Sequence, residues 1–284
     1  MSDSLKYFIS VFLYGTLGFF LSFINVNSEF VVFCRGFFGC LFVLCLLAIK
    51  GQRIDFVAIK KNLKYLIISG LSLGLNEVML FIGYKYAVSL ASLGNYTAPI
   101  SIIVISAIMY KEKVSFKQGL CILASFIGII FLSGVINGSN NDIRALIFGL
   151  IGSIGFITLV FMNKKIEDIG PYDKTLVQLL FSSLTCVPLI LVNKSYLISY
   201  DFKTVSILLM LGIIHTGYAY SLYFDSIKTL SPIKIAIIGY VEPVMSVLIG
   251  TLFLNENMDI YTIIGAILVI SSAIVSELLS VKKE

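Results

Sequence analysis

The sequence predicts an all-α integral membrane protein: ten transmembrane helices in a five-plus-five inverted repeat around a central cavity. Three observations predict it. The composition is too apolar for a water-facing surface. Ten long apolar runs are separated by short polar breaks. One phrase is written twice, 144 residues apart.

Hydrophobic residues make up 58% of the 284 positions and charged residues 13%. A soluble domain carries about 25% charged residues. Folding hides only part of a chain's surface, so most of what this chain exposes must face lipid. The net charge of +5 raises the question of an acidic partner such as nucleic acid, and the distribution of the cations answers it below. Five cysteines, Cys34, Cys40, Cys45, Cys121 and Cys186, lie in apolar runs and read as small buried hydrophobes.

A bilayer core needs roughly 20 apolar residues per helix. The runs are 7–24, 29–49, 63–84, 91–110, 116–135, 144–162, 172–192, 204–224, 233–253 and 260–278. The first has one lysine ahead of it and no convincing small-residue cleavage site, so it reads as a span, not a cleaved leader. Lys and Arg concentrate in cytoplasmic loops. With a cytoplasmic N-terminus, sixteen cations fall on the inside and four, Lys85, Arg144, Lys194 and Lys203, on the outside, while Arg35 lies within the second run. The positive charge is thus a topology signal, with both termini cytoplasmic, and a nucleic-acid partner loses its basis.

The repeated phrase sets the register. Pro99 and Pro243 are each followed by a glutamate thirteen residues on, Glu112 and Glu256. Tyr96 falls on Tyr240 at the same shift, and Ser115 falls on Asp259, each as the expected N-cap of the next helix. Earlier in the halves, GTLGF (15–19) matches GSIGF (152–156) at a shift of 137. The domains are therefore 1–136 and 137–284, five spans each. Because five is odd, the halves must cross in opposite senses, a plan that recurs in secondary transporters with sites near the midplane.

At this point the chain resembles a known family. VVFCRGFFG (31–39), GYKYAVSLASLGNYTAPISIIVISAIMYKEKVSFKQGL (83–120) and the stretch 215–268, with its twice-written order of Pro, apolar span, Glu, short turn and Gly-containing helix, are similar to the drug/metabolite transporter superfamily. Within it, the chain looks like an EamA-type ten-helix carrier. The resemblance implies export or exchange of small metabolites through a central cavity by alternating access. It leaves the cargo open. Many members have tryptophan in the first helix of each half; this chain has none, so an aromatic wall must come from Tyr and Phe.

Ionisable residues at bilayer depth are costly and mark function. Glu77 shares a helix face with Gly70, Gly74, Phe81 and Tyr84, with Asn76 beside it. It reads as a substrate-binding or proton-coupling group, or as a structural partner of Arg35. His215, the single histidine, reads as a proton-coupling residue or as a neutral bond between helices. Glu242 precedes Pro243 and reads as a substrate-binding carboxylate lining the cavity; its twin position in the first half is Ala98, so the charge is an asymmetry between the halves. Each proline removes an amide donor, predicting helix kinks at Pro99 and Pro243 that free carbonyls near Asn95 and Gly239. Arg35 reads as a clamp for a substrate carboxylate or as a counter-charge to a glutamate. Tyr14, Tyr96, Tyr218, Tyr220, Tyr223 and Tyr240 are candidates for an aromatic substrate wall or for core packing, Tyr96 and Tyr240 above the rest because both repeats keep them beside a kink. Glu112 and Glu256 read as helix-end groups.

No phosphate loop, metal cluster or paired acid/base constellation appears, so the sequence predicts no enzyme, cofactor or metal. The leading function is a secondary active transporter in the cytoplasmic membrane, exporting an amino acid or related zwitterion with proton coupling. A carrier for an organic cation such as a quaternary amine is the alternative; an integral-membrane lipid enzyme ranks below both. The expected partners are membrane lipid and a small-molecule substrate.

Overall fold

Polar residues at the breaks between apolar runs start the helices. In the computed structural model, which describes residues 1–86, 88–110, 115–132, 136, 142–195, 201–254 and 260–281, Asp55 accepts from the Ala58 amide at 2.9 Å and Asp201 from the Thr204 amide at 3.0 Å. Ser2, Asp142 and Ser231 cap their helices in the same way. Each oxygen satisfies an amide that the first turn leaves without a partner. The glutamates Glu112 and Glu256, and the expected cap Asp259, lie outside the described residues; Ser115 immediately precedes its helix.

The helices in order are α1 (Asp3–Gly15), α2 (Leu17–Leu21), α3 (Ser28–Ile49), α4 (Phe56–Tyr84), α5 (Val88–Asn95), α6 (Ala98–Tyr110) and α7 (Phe116–Leu132). They continue with α8 (Ile143–Lys164), α9 (Pro171–Asn193), α10 (Phe202–Met210), a π-helical segment (Leu211–Tyr218), α11 (Ala219–Ser226), α12 (Pro232–Gly239), α13 (Val241–Leu254) and α14 (Ile260–Val281). No strand occurs among the described residues.

Among the described residues, six helical stretches are long and apolar enough to cross a membrane: Asp3–Leu21, Ser28–Ile49, Phe56–Tyr84, Ile143–Lys164, Pro171–Asn193 and Phe202–Ser226. Shorter apolar helical pieces lie at Leu90–Ser106, Gly119–Phe131 and Ile263–Ser272. The run at 91–110 is not one helix, since α5 ends at Asn95 and α6 begins at Ala98; the run at 233–253 is divided at Tyr240. Pro99 and Pro243 both fall in the first turn of the helix after the break, where a missing amide costs no hydrogen bond.

Close helix approach depends on glycine at a few crossings. A Cβ on Gly74 of α4 would lie 2.6 Å from the Ser182 carbonyl oxygen and 2.7 Å from the Thr185 side chain of α9. A Cβ on Gly15, at the end of α1, would lie 2.6 Å from Met245 Cβ and 2.8 Å from the Glu242 carbonyl oxygen of α13. With lipid outside and no hydrophobic drive between helices, such contacts supply the van der Waals packing that holds a bundle together. The helices α1, α3, α4, α5–α6 and α11–α13 thereby enclose the middle of the molecule, and α7 pairs with α14 beside it.

The packing predicts opposite outcomes at two glycines. Gly74→Leu must push α4 from α9, and overpacking of this kind costs about 1–3 kcal/mol. Gly119→Ala meets open space and improves helix propensity by up to about 1 kcal/mol. Thermal unfolding in detergent should show a lowered midpoint for the first and an unchanged or raised midpoint for the second.

Candidate functional site

A cavity of about 290 Å³ runs through the enclosed middle. It follows α1 and α2 from Tyr7 to Leu21, a helical rise of about 21 Å. Along α4 it extends from Leu73 to Tyr84. Its ionisable lining consists of Arg35, Glu77 and Glu242, besides tyrosine hydroxyls.

Arg35 of α3 is 3% exposed. Its Nη2 lies 3.1 Å from Glu77 Oε1 of α4, and its Nε donates to Thr216 Oγ1 in the π-helical segment at 3.2 Å. The Tyr220 hydroxyl of α11 donates to the same Glu77 oxygen at 2.9 Å. A guanidinium in a water-poor interior needs a counter-charge and hydrogen-bond acceptors, and this arrangement gives it both. The Glu77 side chain retains 13% exposure, toward the cavity.

Glu242 is placed differently. It sits in the first turn of α13, whose N-terminal amides favour negative charge. The residue is half-buried and lines the cavity. Among the described residues no hydrogen bond or ion pair holds its carboxylate. Arg35 and Glu77 act on it at longer range with opposite signs.

Tyrosines form the wall. The Tyr14 and Tyr220 rings are 5.0 Å apart, Tyr7 and Tyr223 are 5.4 Å apart, and Phe156 adjoins Tyr223 at 6.5 Å. The Tyr7 hydroxyl donates to the Ile235 carbonyl at 3.0 Å. The buried hydroxyls of Tyr14 and Tyr223 have no hydrogen-bond partner among the described residues. At the far end Ser92 donates to Tyr84 at 3.3 Å, and Asn76 donates to Asn95 at 2.7 Å and to the Gly152 carbonyl at 2.9 Å.

Next to Tyr7 in the chain, the start of α1 carries a polar cluster. Lys6 Nζ bridges Asp3 at 2.9 Å and Asp225 at 2.6 Å, and Thr229 donates to the other Asp3 oxygen at 2.7 Å. These bonds tie the start of α1 to the end of α11 and the turn after it.

Of the residues singled out in the sequence, Arg35, Asn76, Glu77, Tyr14, Tyr96, Pro99 and Glu242 meet at the cavity. The candidates Tyr220 and Tyr223 line it too, whereas Tyr218, Tyr240, Pro243 and His215 do not. Tyr240 is 1% exposed, and its hydroxyl donates to the Tyr96 carbonyl at 3.2 Å, so the two repeat-related tyrosines touch. Tyr218 is 43% exposed on the outside, and Pro243 is buried in α13. His215 is buried, with Nε2 2.7 Å from Thr16 Oγ1 and its ring edge-on to Phe20 at 5.2 Å. The Thr16 hydroxyl has one proton; when that proton goes to the Leu13 carbonyl, 2.8 Å away, His215 donates from Nε2. The sequence reading missed Tyr7. Tyr7, Val11, Tyr14 and Gly18 recur at four and three, a helical face that identifies them together. Among the described residues no His, Cys, Asp and Glu group stands ready to hold a metal.

Comparison with known proteins finds the sequence pattern of the EamA-like transporter family twice, over residues 4–134 and 143–278. The uncharacterized transporter YxxF of Bacillus subtilis is 27% identical over 93% of this chain and 86% of its own length. Protein PecM of Dickeya dadantii is 23% identical over 74% of this chain and 71% of its own. A protein of known crystal structure superposes with a TM-score of 0.84 at 16% identity, covering 98% of this chain and 96% of the other, a likeness of fold.

Two hydroxyl deletions separate the roles in this wall. Tyr220→Phe removes a hydrogen bond to a charged group, worth about 1.5–3 kcal/mol. Tyr14→Phe removes a hydroxyl with no protein partner and should stay within about 0.5 kcal/mol of the parent. Thermal unfolding of both variants in the same detergent measures the difference.

Proposed function

The chain belongs to the EamA-like transporter family, and from that membership we propose that it is a secondary active transporter that moves a small metabolite across the cytoplasmic membrane by alternating access. The observation that carries the reading is the central cavity with three ionisable groups at its wall.

The double family match supports ten spans in two inverted halves, 1–136 and 137–284, since its spacing agrees with the twice-written phrase. With the N-terminus cytoplasmic, as the loop cations favour, the Lys6 cluster forms the inner gate and transport runs outward. Opening would break the Lys6 bridge and the Tyr7 bond while α11 and α12 tilt from α1. The π-helical segment and the divisions at Thr16, Tyr96–Thr97 and Tyr240 are where the helices bend. Without a phosphate loop in the sequence, the driving force is assigned to a proton gradient, with Glu77, Glu242 and His215 as the titrating candidates. His215 holds the α1–α2 junction through Thr16, so it acts on access and not by contact with cargo.

For the cargo, the zwitterion reading needs Arg35 free to meet a carboxylate. Arg35 instead faces Glu77 and Thr216. The organic-cation alternative is therefore the better match.

Proteoliposomes carrying the purified protein should accumulate labelled organic amines under an imposed pH gradient, above protein-free vesicles; flux equal to those vesicles would count against a carrier. The gate has its own test. In a cysteine-free background, Val11→Cys places a thiol on the cavity wall. Adding Lys6→Met should raise its alkylation from the N-terminal side several-fold, and an unchanged rate would show that the cluster is not the barrier.

A further inference from the structure

We infer that the cavity takes its cargo as a monovalent organic cation, a protonated amine on a small apolar or aromatic body, with Glu242 as its counter-ion. The inference rests on the carrier reading and names the cargo's charge.

Charge at the wall comes first. Arg35 and Glu77 face each other at 3.1 Å and cancel. Glu242 remains, so the empty cavity carries one uncompensated negative charge when that group is ionised. A bound monovalent cation brings the sum to zero. A zwitterion would bring a carboxylate that finds no free cation. To reach Arg35 it must displace Glu77, leaving Glu77 unpaired in a water-poor interior. An anion would do the same and leave Glu242 unmatched as well.

Hydrogen bonding leads to the same ligand. The Glu242 carboxylate has only acceptor atoms, and no hydrogen bond holds it among the described residues. Ring faces complete the site. Tyr14, Tyr223 and Tyr96 line it with Glu242, and aromatic faces attract ammonium groups, more strongly out of water. The volume, about 290 Å³, lies near the lower limit for small-molecule pockets and selects a compact cargo.

The repeat sharpens the point. Ala98 is the residue that corresponds to Glu242 at the shift of 144, and both line the cavity. One half supplies a methyl group where the other supplies the charge.

The test uses three probes with one body and three charges: phenethylamine, phenylalanine and phenylacetate. Binding to the purified full-length protein in detergent is measured by calorimetry at one pH where the amine is protonated. Phenethylamine should bind at least tenfold more tightly than phenylalanine, and phenylacetate should not compete. Glu242→Gln should weaken the amine at least tenfold, while Glu242→Asp keeps the charge and retains most of the affinity. Tighter binding of phenylalanine, no binding of the amine at millimolar concentration, or full amine affinity in Glu242→Gln would overturn the inference. The probe series on the unaltered protein decides the matter even if a variant fails to fold. Vesicle flux separates the two readings: an amine that binds but does not cross refutes the carrier and leaves the site, whereas phenylalanine that crosses without amine competition supports the carrier and refutes the cation site.

Discussion

A guanidinium held 3% exposed inside an apolar bundle must be neutralised where it stands, and Arg35 is neutralised by Glu77. Breaking a buried pair by removing one partner typically costs about 3–5 kcal/mol, because the remaining charge is left uncompensated. The pair therefore fixes more than itself. It sets α3 against α4, and through Thr216 and Tyr220 it fixes the π-helical segment and α11 as well. The glycines on α3 and α4 let α9 approach from behind, where Gly36 and Gly74 sit beside Ser183 and Ser182. Polar attraction on one face and close packing on the other hold these helices at the separation that leaves a cavity beside them.

Once Arg35 and Glu77 are matched, the chemistry of the cavity passes to the part of the repeat that is not repeated. Tyr96 and Tyr240 keep the frame and touch across the two halves. Ala98 and Glu242 occupy corresponding places and differ in charge. The polar cluster of Lys6, Asp3 and Asp225 ties the start of α1 to the end of α11 with weak contacts, since surface ion pairs contribute at most about 1 kcal/mol each.

Much of this was legible in the chain. Apolar length identified the helices, because a bilayer imposes a minimum on each span. The Glu77 face and its glycines were readable from helical spacing, and Arg35 was named as its possible partner. Proline positions marked Pro99 and Pro243, near which the structure divides the helices at Tyr96–Thr97 and Tyr240. The π-helical segment was not readable: it shifts the register by a fraction of a turn, and no side-chain pattern announces it. That shift turns His215 toward Thr16 and leaves Tyr218 on the outside. Nor could periodicity choose between Arg35 as clamp and Arg35 as counter-charge, which depends on a distance between two helices far apart in sequence.

The most direct measurement of the central claim is a double-mutant cycle on Arg35→Met and Glu77→Gln, read as unfolding free energy in detergent. If the two charges hold each other, each single change should destabilise by several kcal/mol and the double change by clearly less than their sum, with a coupling of about 1–3 kcal/mol. Additive losses would mean that Arg35 and Glu77 act independently, and Arg35 would return as a free group facing the cargo.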